Sequence, residues 1–174
     1  PGIPVFRPAA ANETAAAWRY IVGADGPVAL LLTRQDVPVL AGSTDHDAVA
    51  RGAYVLADPD GEPDVVLIGT GSEVAVALDA AATLTAAGHS VRVVSMPCTE
   101  LFAEQADGYR ASVLPAGIPT VSVEAGVTFG WARWADTSIG IDRFGASAPG
   151  EQAMTGLGIT PAAVVAAAKS LLGT

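Results

Sequence analysis

Arg34 is the first residue of the chain whose setting could support chemistry. It lies between Thr33 and Gln35, directly after the unbroken apolar run at residues 28–32. A guanidinium at the carboxyl end of a buried strand can bind an anion, because it stays charged and donates to oxygen atoms in pairs. A strand that leaves the core must also end in polar residues. The run itself leaves both interpretations open.

A glycine-rich turn, "GTGSEV" at residues 69–74, joins a predicted strand to a predicted helix. Free backbone N–H groups in such turns can bind a phosphate. The dinucleotide-binding fingerprint needs a third glycine where Val74 stands, and Glu73 adds a negative charge. The sequence therefore favours a tight turn that needs small residues. A nucleotide- or effector-binding regulatory module remains an alternative.

Two further residues lie at predicted strand ends. Cys98 precedes a predicted helix, where a thiolate could be stabilised, but it has no evident basic partner. Glu124 lies at a carboxyl end, where α/β proteins place ligands, although the pattern favours a structural carboxylate. Packing or an interface is the expected role of the nearby aromatic residues, which are Phe129, Trp131 and Trp134.

Metal and nucleophile chemistry have weak support in the sequence. His46, His89 and Cys98 are scattered without the spacing of metal ligands. Ser147, in "GASAPG", lacks the strand–serine–helix pattern of a nucleophile elbow. We therefore predict no catalytic, cofactor-binding or metal-binding residue in this chain.

The elements that must position these residues alternate between strand and helix. The predicted strands are "DVVLIGTG", "SVRVVSMP", "IPTVSVEAG" and "TSIGID". Four helices are predicted between and after these strands. The first begins after Ser72, the second covers residues 100–113, and the third is a short helix at "TFGWARWAD". The last begins at Pro161, with Thr160 as its N-cap. Ahead of them, a helix capped by Asn12 ends at Gly23, before the run at 28–32. This order predicts an α/β fold with an open, mostly parallel sheet and helices on both faces, preceded by a helix–strand appendage.

Composition excludes some classes of function. The 174 residues carry a formal net charge of −9, which is unlike a nucleic-acid-binding domain and unfavourable for binding an anionic membrane surface. No apolar run approaches the roughly 20 residues of a membrane span. The single cysteine forms no internal disulfide and fits a reducing compartment. The start "PGIPVFRP" lacks Met and a signal peptide, so we expect a fragment.

The pieces of the chain, taken in order, resemble the carboxyl-terminal part of a transketolase. They are "FRPAAANETAAAWRY", "GPVALLLTRQ", "RGAYVL", "VVLIGTGSEV", "VRVVSMPCTELF", "YRASVLP", "VSVEAG" and "FGASAPGE". The resemblance implies that residues 1–35 are the tail of the pyrimidine-binding domain, 36–58 a linker and 59–174 the third, carboxyl-terminal domain. It also implies a cytoplasmic, homodimeric parent enzyme that transfers a two-carbon ketol unit between ketose and aldose phosphates. That parent uses thiamine diphosphate with Mg²⁺ or Ca²⁺ in the pentose phosphate pathway.

The resemblance gives Arg34 a role, because the arginine of the family's "SRQ" or "TRQ" motif contacts the phosphate of the sugar substrate. The family's diphosphate–metal motif, activating glutamate and substrate-channel histidines are absent, so we expect no bound cofactor and no activity from this chain alone. Related thiamine enzymes, such as deoxyxylulose phosphate synthase or the 2-oxo acid dehydrogenase β chain, remain alternatives. The strand at 28–32 would lack its partner strands. We therefore expect residues 1–35 to be loosely held or to pair with another copy.

Overall fold

The centre of the molecule is a five-stranded sheet with the strand order β3-β5-β4-β6-β7. The computed structural model describes residues 2–40 and 46–174. β4 to β7 run parallel, and β3 lies antiparallel at one edge. The strands of this sheet are β3 Tyr54–Ala57, β4 Val65–Gly69, β5 Val91–Ser95, β6 Thr120–Val123 and β7 Thr137–Ile139. The predicted α/β fold with a mostly parallel sheet is confirmed.

Helices cover both faces of this sheet. Their bounds are α1 Ala11–Gly23, α2 His46–Ala50, α3 Glu73–Ala86, α4 Thr99–Ala103, α5 Asp107–Val113, α6 Gly150–Leu157 and α7 Pro161–Leu172, with a 3₁₀ turn at Trp131–Arg133. A second, small sheet pairs β1 Val5–Phe6 in parallel with β2 Ala29–Leu30. The helix–strand piece expected ahead of the main domain is therefore present.

Alternation along the central strands sends side chains to two separate cores. Val65 and Leu67 pack with the apolar faces of α3 and α7. Val66 and Ile68 point the other way, into a core that contains Phe102 and Trp131. Strands that are buried on both faces have continuous apolar sequences, which explains the apolar run "VVLI" in β4. The sheet is thus buried on both faces, and polar residues follow the ends of its strands.

The segment that carries β1 and α1 packs against the main domain. Phe6 is fully buried in a core shared with Val49, Tyr54 and Cys98. The expectation that residues 1–35 are loosely held is wrong for Val5 to Gly23, because both apolar and hydrogen-bonded side chains tie them to the domain. β2 is paired on one side with β1, and Leu31 and Leu32, which follow it, are about half exposed.

Several element boundaries differ from the predicted ones. α1 has Ala10 rather than Asn12 at its N-cap position, with no side-chain cap, and the Thr14 hydroxyl donates to the carbonyl of Ala10. The helical stretch 100–113 is two helices, and the Arg110 side chain donates to the carbonyl of Ala103 at the end of the first. β3 lies within the predicted linker 36–58, where "GAYVLADPDGEP" favours a short strand, and residues 41–45 of that linker lie outside the described residues. It reaches the sheet because its residues alternate between two partly buried faces.

The 23-residue stretch from Gly150 to Leu172, near the carboxyl terminus, is long and apolar enough, by length and composition, to cross a membrane. The structure breaks this stretch into α6 and α7, of 8 and 12 residues. Gly158 adopts a φ of +86°, and Thr160 caps α7 by accepting a bond from the Ala163 N–H. Each helix is shorter than the roughly 20 residues of a span, and α7 buries Val164 and Ala168 against the sheet. The sequence analysis did not predict α6, which lies between β7 and α7.

Candidate functional site

The chain changes direction across the sheet at β4. It passes from β4 to β5 on one side and then crosses over to β6 on the other. In open α/β sheets the crevice beyond the carboxyl ends of two such strands is where ligands bind. Here that crevice is formed by the residues after β4 and after β6, and it contains the side chain of Arg7.

Arg7 bridges two carboxylates at this crevice. Its Nη2 lies 3.2 Å from Glu73 Oε2, and its Nη1 contacts Glu124 Oε1. Glu73 is buried, with its side chain 1% exposed, whereas the side chains of Arg7 and Glu124 are 25% and 19% exposed. The predicted structural role of Glu124 fits this arrangement, since its other oxygen accepts a bond of 2.6 Å from the Trp131 indole N–H.

The glycine-rich turn at residues 69–74 is occupied by the protein itself. The Gly71 N–H donates to the Arg7 carbonyl at 2.9 Å, and the N–H groups of Glu73 and Val74 donate to carbonyls within the turn. A Cβ on Gly69 would lie 2.6 Å from the Cα of Val74, so strand and helix approach too closely there for any side chain. This geometry favours the tight-turn interpretation, because these amides are not free to bind a phosphate.

A second buried carboxylate lies on α1. Glu13 is fully buried and accepts three hydrogen bonds, from Tyr54 Oη at 2.6 Å, Ser95 Oγ at 2.5 Å and the Ala9 N–H at 2.6 Å. Because the donors lie on β3, on β5 and ahead of α1, this carboxylate joins α1 to the sheet. Hydrogen bonding of this kind is what makes a buried charged group tolerable.

Cys98 has the environment of a structural thiol. It is 1% exposed, and its Sγ lies 3.4 Å from Glu100 Oε2. Burial raises the pKa of the Cys98 thiol to about 12, and the Glu100 carboxylate adds to the rise. The thiol is therefore protonated at neutral pH, which is the opposite of what a reactive cysteine needs.

Arg34 lies where the sequence placed it, beyond the carboxyl end of β2, and it is exposed. Its neighbours Thr33 and Gln35 hydrogen-bond to each other and line a cavity of about 510 Å³ that also contacts Arg7 and Met154. Within residues 2–40 and 46–174, no carboxylate forms an ion pair with the Arg34 guanidinium. A solvent-accessible guanidinium can bind an anion, whereas Arg7 is already bound by two carboxylates.

The remaining predicted residues do not converge on one site. Trp131 is buried, and Trp134 packs on Phe102 with ring centroids 5.0 Å apart, as expected for packing residues. Phe129, by contrast, is 90% exposed at the rim of a cavity of about 280 Å³ next to Arg7. The other candidates lie apart from this crevice: His46 begins α2, His89 follows α3, and Ser147 lies in the exposed loop after β7.

The sequence analysis missed the roles of Arg7 and Glu13. Arg7 lies between the buried residues Phe6 and Pro8, and Glu13 lies on the face of α1 that also buries Ala16 and Ala17. A charge flanked by buried residues signals a partner elsewhere in the fold, but the sequence does not identify that partner. Both partners lie more than 40 residues away, at Glu73 for Arg7 and at Tyr54 for Glu13.

The fold places the chain in the class of open α/β sheet domains. The crevice beyond the carboxyl ends of β4 and β6, called here the switch-point crevice, is filled by Arg7 of the preceding segment. A family model described as the transketolase-like TK C-terminal domain matches residues 52–160. The chain belongs to this family of transketolase-like C-terminal domains. The recognition made from the sequence is therefore confirmed.

Individual transketolases match nearly the whole chain. Transketolase 7 of Craterostigma plantagineum is 50% identical over 98% of this chain and 26% of its own length. A chloroplastic transketolase of Solanum tuberosum is 47% identical over 98% of the chain and 24% of its own length. The chain thus spans about a quarter of the length of these curated relatives.

Solved transketolases share the fold closely. The enzyme of Leishmania mexicana superposes with a TM-score of 0.95 at 42% identity, over 99% of this chain and 26% of that one. A Pichia stipitis transketolase in complex with sedoheptulose 7-phosphate superposes with a TM-score of 0.93 at 37% identity, over 99% and 25%. A split-gene transketolase, described as an inactive β4 tetramer, has a TM-score of 0.77 at 25% identity, over 99% of this chain and 59% of its own.

The residues of this chain do not fit a thiamine diphosphate and metal site. Among residues 2–40 and 46–174, no group of three His, Cys, Asp or Glu side chains is arranged to hold a metal ion. The Gly71, Glu73 and Val74 amides that could have received a diphosphate are bonded to carbonyls, and Glu73 places a carboxylate beside them. The described residues therefore provide neither a group of metal ligands nor free turn amides for such a cofactor.

Proposed function

We propose that this chain is the carboxyl-terminal part of a transketolase that transfers a two-carbon ketol unit between ketose and aldose phosphates. The parent would use thiamine diphosphate with Mg²⁺ or Ca²⁺, held by residues outside this chain. One observation carries the proposal: the chain superposes on a transketolase over 99% of its residues, with a TM-score of 0.95. The parent is expected to be a cytoplasmic homodimer. One relative is named chloroplastic, so the compartment needs its own localisation measurement.

Within that parent, Arg34 binds the phosphate group of the sugar substrate. Arg34 is exposed beyond the end of β2, and its sequence neighbours Thr33 and Gln35 line a cavity. The Pichia stipitis relative is described in complex with a sugar phosphate, which supports a phosphate as the anion. A guanidinium fork suits phosphate oxygens, and charge-assisted bonds contribute about 1.5–3 kcal/mol each.

The test is the variant Arg34→Ala in the full-length enzyme. Loss of one charge-assisted bond is expected to raise KM for phosphorylated sugars by about tenfold or more, because 1.4 kcal/mol corresponds to a factor of ten. The affinity for thiamine diphosphate should be unchanged, because Arg34 is assigned to the substrate. Arg19 is also an exposed arginine, but it lies on α1. Arg19→Ala is therefore the matched control and should leave KM unchanged. An unmoved KM in Arg34→Ala would refute the assignment.

The chain by itself is proposed to be inactive and structural. Residues 1–35 are assigned to the end of the pyrimidine-binding domain, 36–58 to the linker and 59–174 to the third domain. The split-gene relative supports this, since its chain of similar fold is described as an inactive β4 tetramer. Calorimetric titration of the purified chain with thiamine diphosphate and magnesium should give no binding heat. Stoichiometric binding would mean that the assignment of the cofactor site to the rest of the parent is wrong.

A further inference from the structure

We propose that the switch-point crevice between β4 and β6 is a guanidinium-binding site, and that Arg7 is its intramolecular ligand. The crevice then acts as a receptor for the preceding segment, at the position where α/β domains otherwise bind small molecules. This inference rests on the contacts of the chain itself and does not depend on the activity of any parent enzyme.

The crevice is fully built around the positive charge. Glu73 Oε1 accepts from Ser72 Oγ at 2.5 Å, and Oε2 accepts from the Ala125 N–H at 3.0 Å as well as from Arg7. Glu124 Oε1 contacts Arg7, and Oε2 accepts from the Trp131 indole. Every carboxylate oxygen thus has a donor, which holds both side chains in fixed positions.

The geometry selects a guanidinium rather than an ammonium. The two carboxylates come from different parts of the sheet edge: Glu73 is the first residue of α3, and Glu124 directly follows β6. Each contacts a different nitrogen of Arg7. A planar fork can reach both at once, whereas an ammonium is a point charge. Gly71 lies against the same side chain, since a Cβ there would be 3.5 Å from Nη2.

The charge balance also favours a cation that binds tightly. Two carboxylates face one guanidinium, and the N-terminus of α3, where Glu73 is the first residue, offsets only part of the excess negative charge. Removal of Arg7 would leave a buried carboxylate without a cation, so the empty crevice should attract a replacement. The backbone of Arg7 is held independently, by the Pro97 carbonyl at 2.8 Å and the Gly71 N–H at 2.9 Å.

The experiment is chemical rescue of Arg7→Ala in this chain. Thermal unfolding is measured with added ethylguanidinium or ethylammonium at millimolar concentration, in the variant and in the unsubstituted chain. Ethylguanidinium should raise the Tm of Arg7→Ala and leave the unsubstituted chain unchanged, because its crevice is occupied. Addition of Glu124→Gln to Arg7→Ala should weaken ethylguanidinium binding by about tenfold, the value of one charge-assisted bond.

The outcomes separate the proposal from general ion effects. Equal responses of the variant and the unsubstituted chain would overturn it, and so would equal rescue by ethylammonium. If Arg7→Ala is unfolded at room temperature, the measurement becomes recovery of near-ultraviolet circular dichroism. Recovery with ethylguanidinium alone would support the proposal, and no recovery would refute it.

Discussion

The buried carboxylate of Glu13 provides the sharpest test of how the leading segment is attached. Glu13→Gln keeps the size of the side chain but turns one acceptor oxygen into an amide nitrogen. The best placement of the amide keeps its oxygen facing Tyr54 and Ser95, which leaves the Ala9 N–H against a donor. We expect the variant to fold with lower stability.

The size of the loss follows from the three bonds. The stranded Ala9 N–H should cost about 1–3 kcal/mol, and the other two bonds should each weaken by about 1 kcal/mol as their acceptor becomes neutral. Relief of the desolvation of the buried charge opposes this loss. We expect a net decrease of about 2–4 kcal/mol in the free energy of unfolding. Asp107→Asn, at an exposed helix-surface pair with Arg110, is the control and should change stability by less than about 0.5 kcal/mol.

Urea unfolding followed by tryptophan fluorescence suits this chain. Trp18 lies on α1, whereas Trp131 and Trp134 lie on the main domain. A chain with Trp18→Phe reports on the main domain, and the difference from the unsubstituted chain reports on α1. If Glu13 joins the two, both signals share one midpoint, which Glu13→Gln lowers. A Trp18 transition at lower urea in the unsubstituted chain, or a loss no larger than that of Asp107→Asn, would refute the reasoning.

Two further predictions concern the thiol and the tight turn. Because the folded pKa of Cys98, about 12, lies above its ordinary value near 9, its contribution to stability is complete below about pH 9 and is lost as the pH rises through about 12. Urea unfolding between about pH 9 and 11 should show stability falling about 1.4 kcal/mol per pH unit more steeply than in Cys98→Ala, and parallel slopes would contradict the assignment. Gly69→Ala should destabilise the chain by about 1–3 kcal/mol, because its Cβ would lie 2.6 Å from the Val74 backbone. Gly108→Ala, in open space on α5, should be neutral or stabilising in the same thermal melts.

The parallel sheet was predictable because its strands are buried on both faces. Continuous apolar runs such as residues 65–68 need no knowledge of their partners to be recognised. α7 was predictable for a similar local reason, since Thr160 and Pro161 begin it through backbone chemistry within one turn. α6 was missed because it contains no buried residue and two glycines, which lower its intrinsic helix propensity.

The crevice, by contrast, depends on contacts between distant residues. Glu124 and the turn at residues 69–74 were recognised as strand-end features, and their structural interpretations agree with the contacts. The cation between them comes from Arg7, which is 66 residues from Glu73 along the chain. Nothing local to Arg7 specifies that distance, so the pairing appears only when the fold is assembled. Arg34 was found through a family motif, and its role is still a prediction.

Glu13 and Glu73 together explain why the leading segment has a defined position on the domain. Apolar contacts around Phe6, Ala16 and Ala17 supply burial but little direction, because apolar surfaces can slide past each other. A buried carboxylate that must meet three donors, and a guanidinium that must meet two carboxylates, each allow one register. Removal of one partner leaves an uncompensated buried group, so misdocked arrangements are penalised more strongly than by lost packing alone. The position of the segment, and with it the path of the chain to Arg34, is therefore set by polar contacts at the sheet.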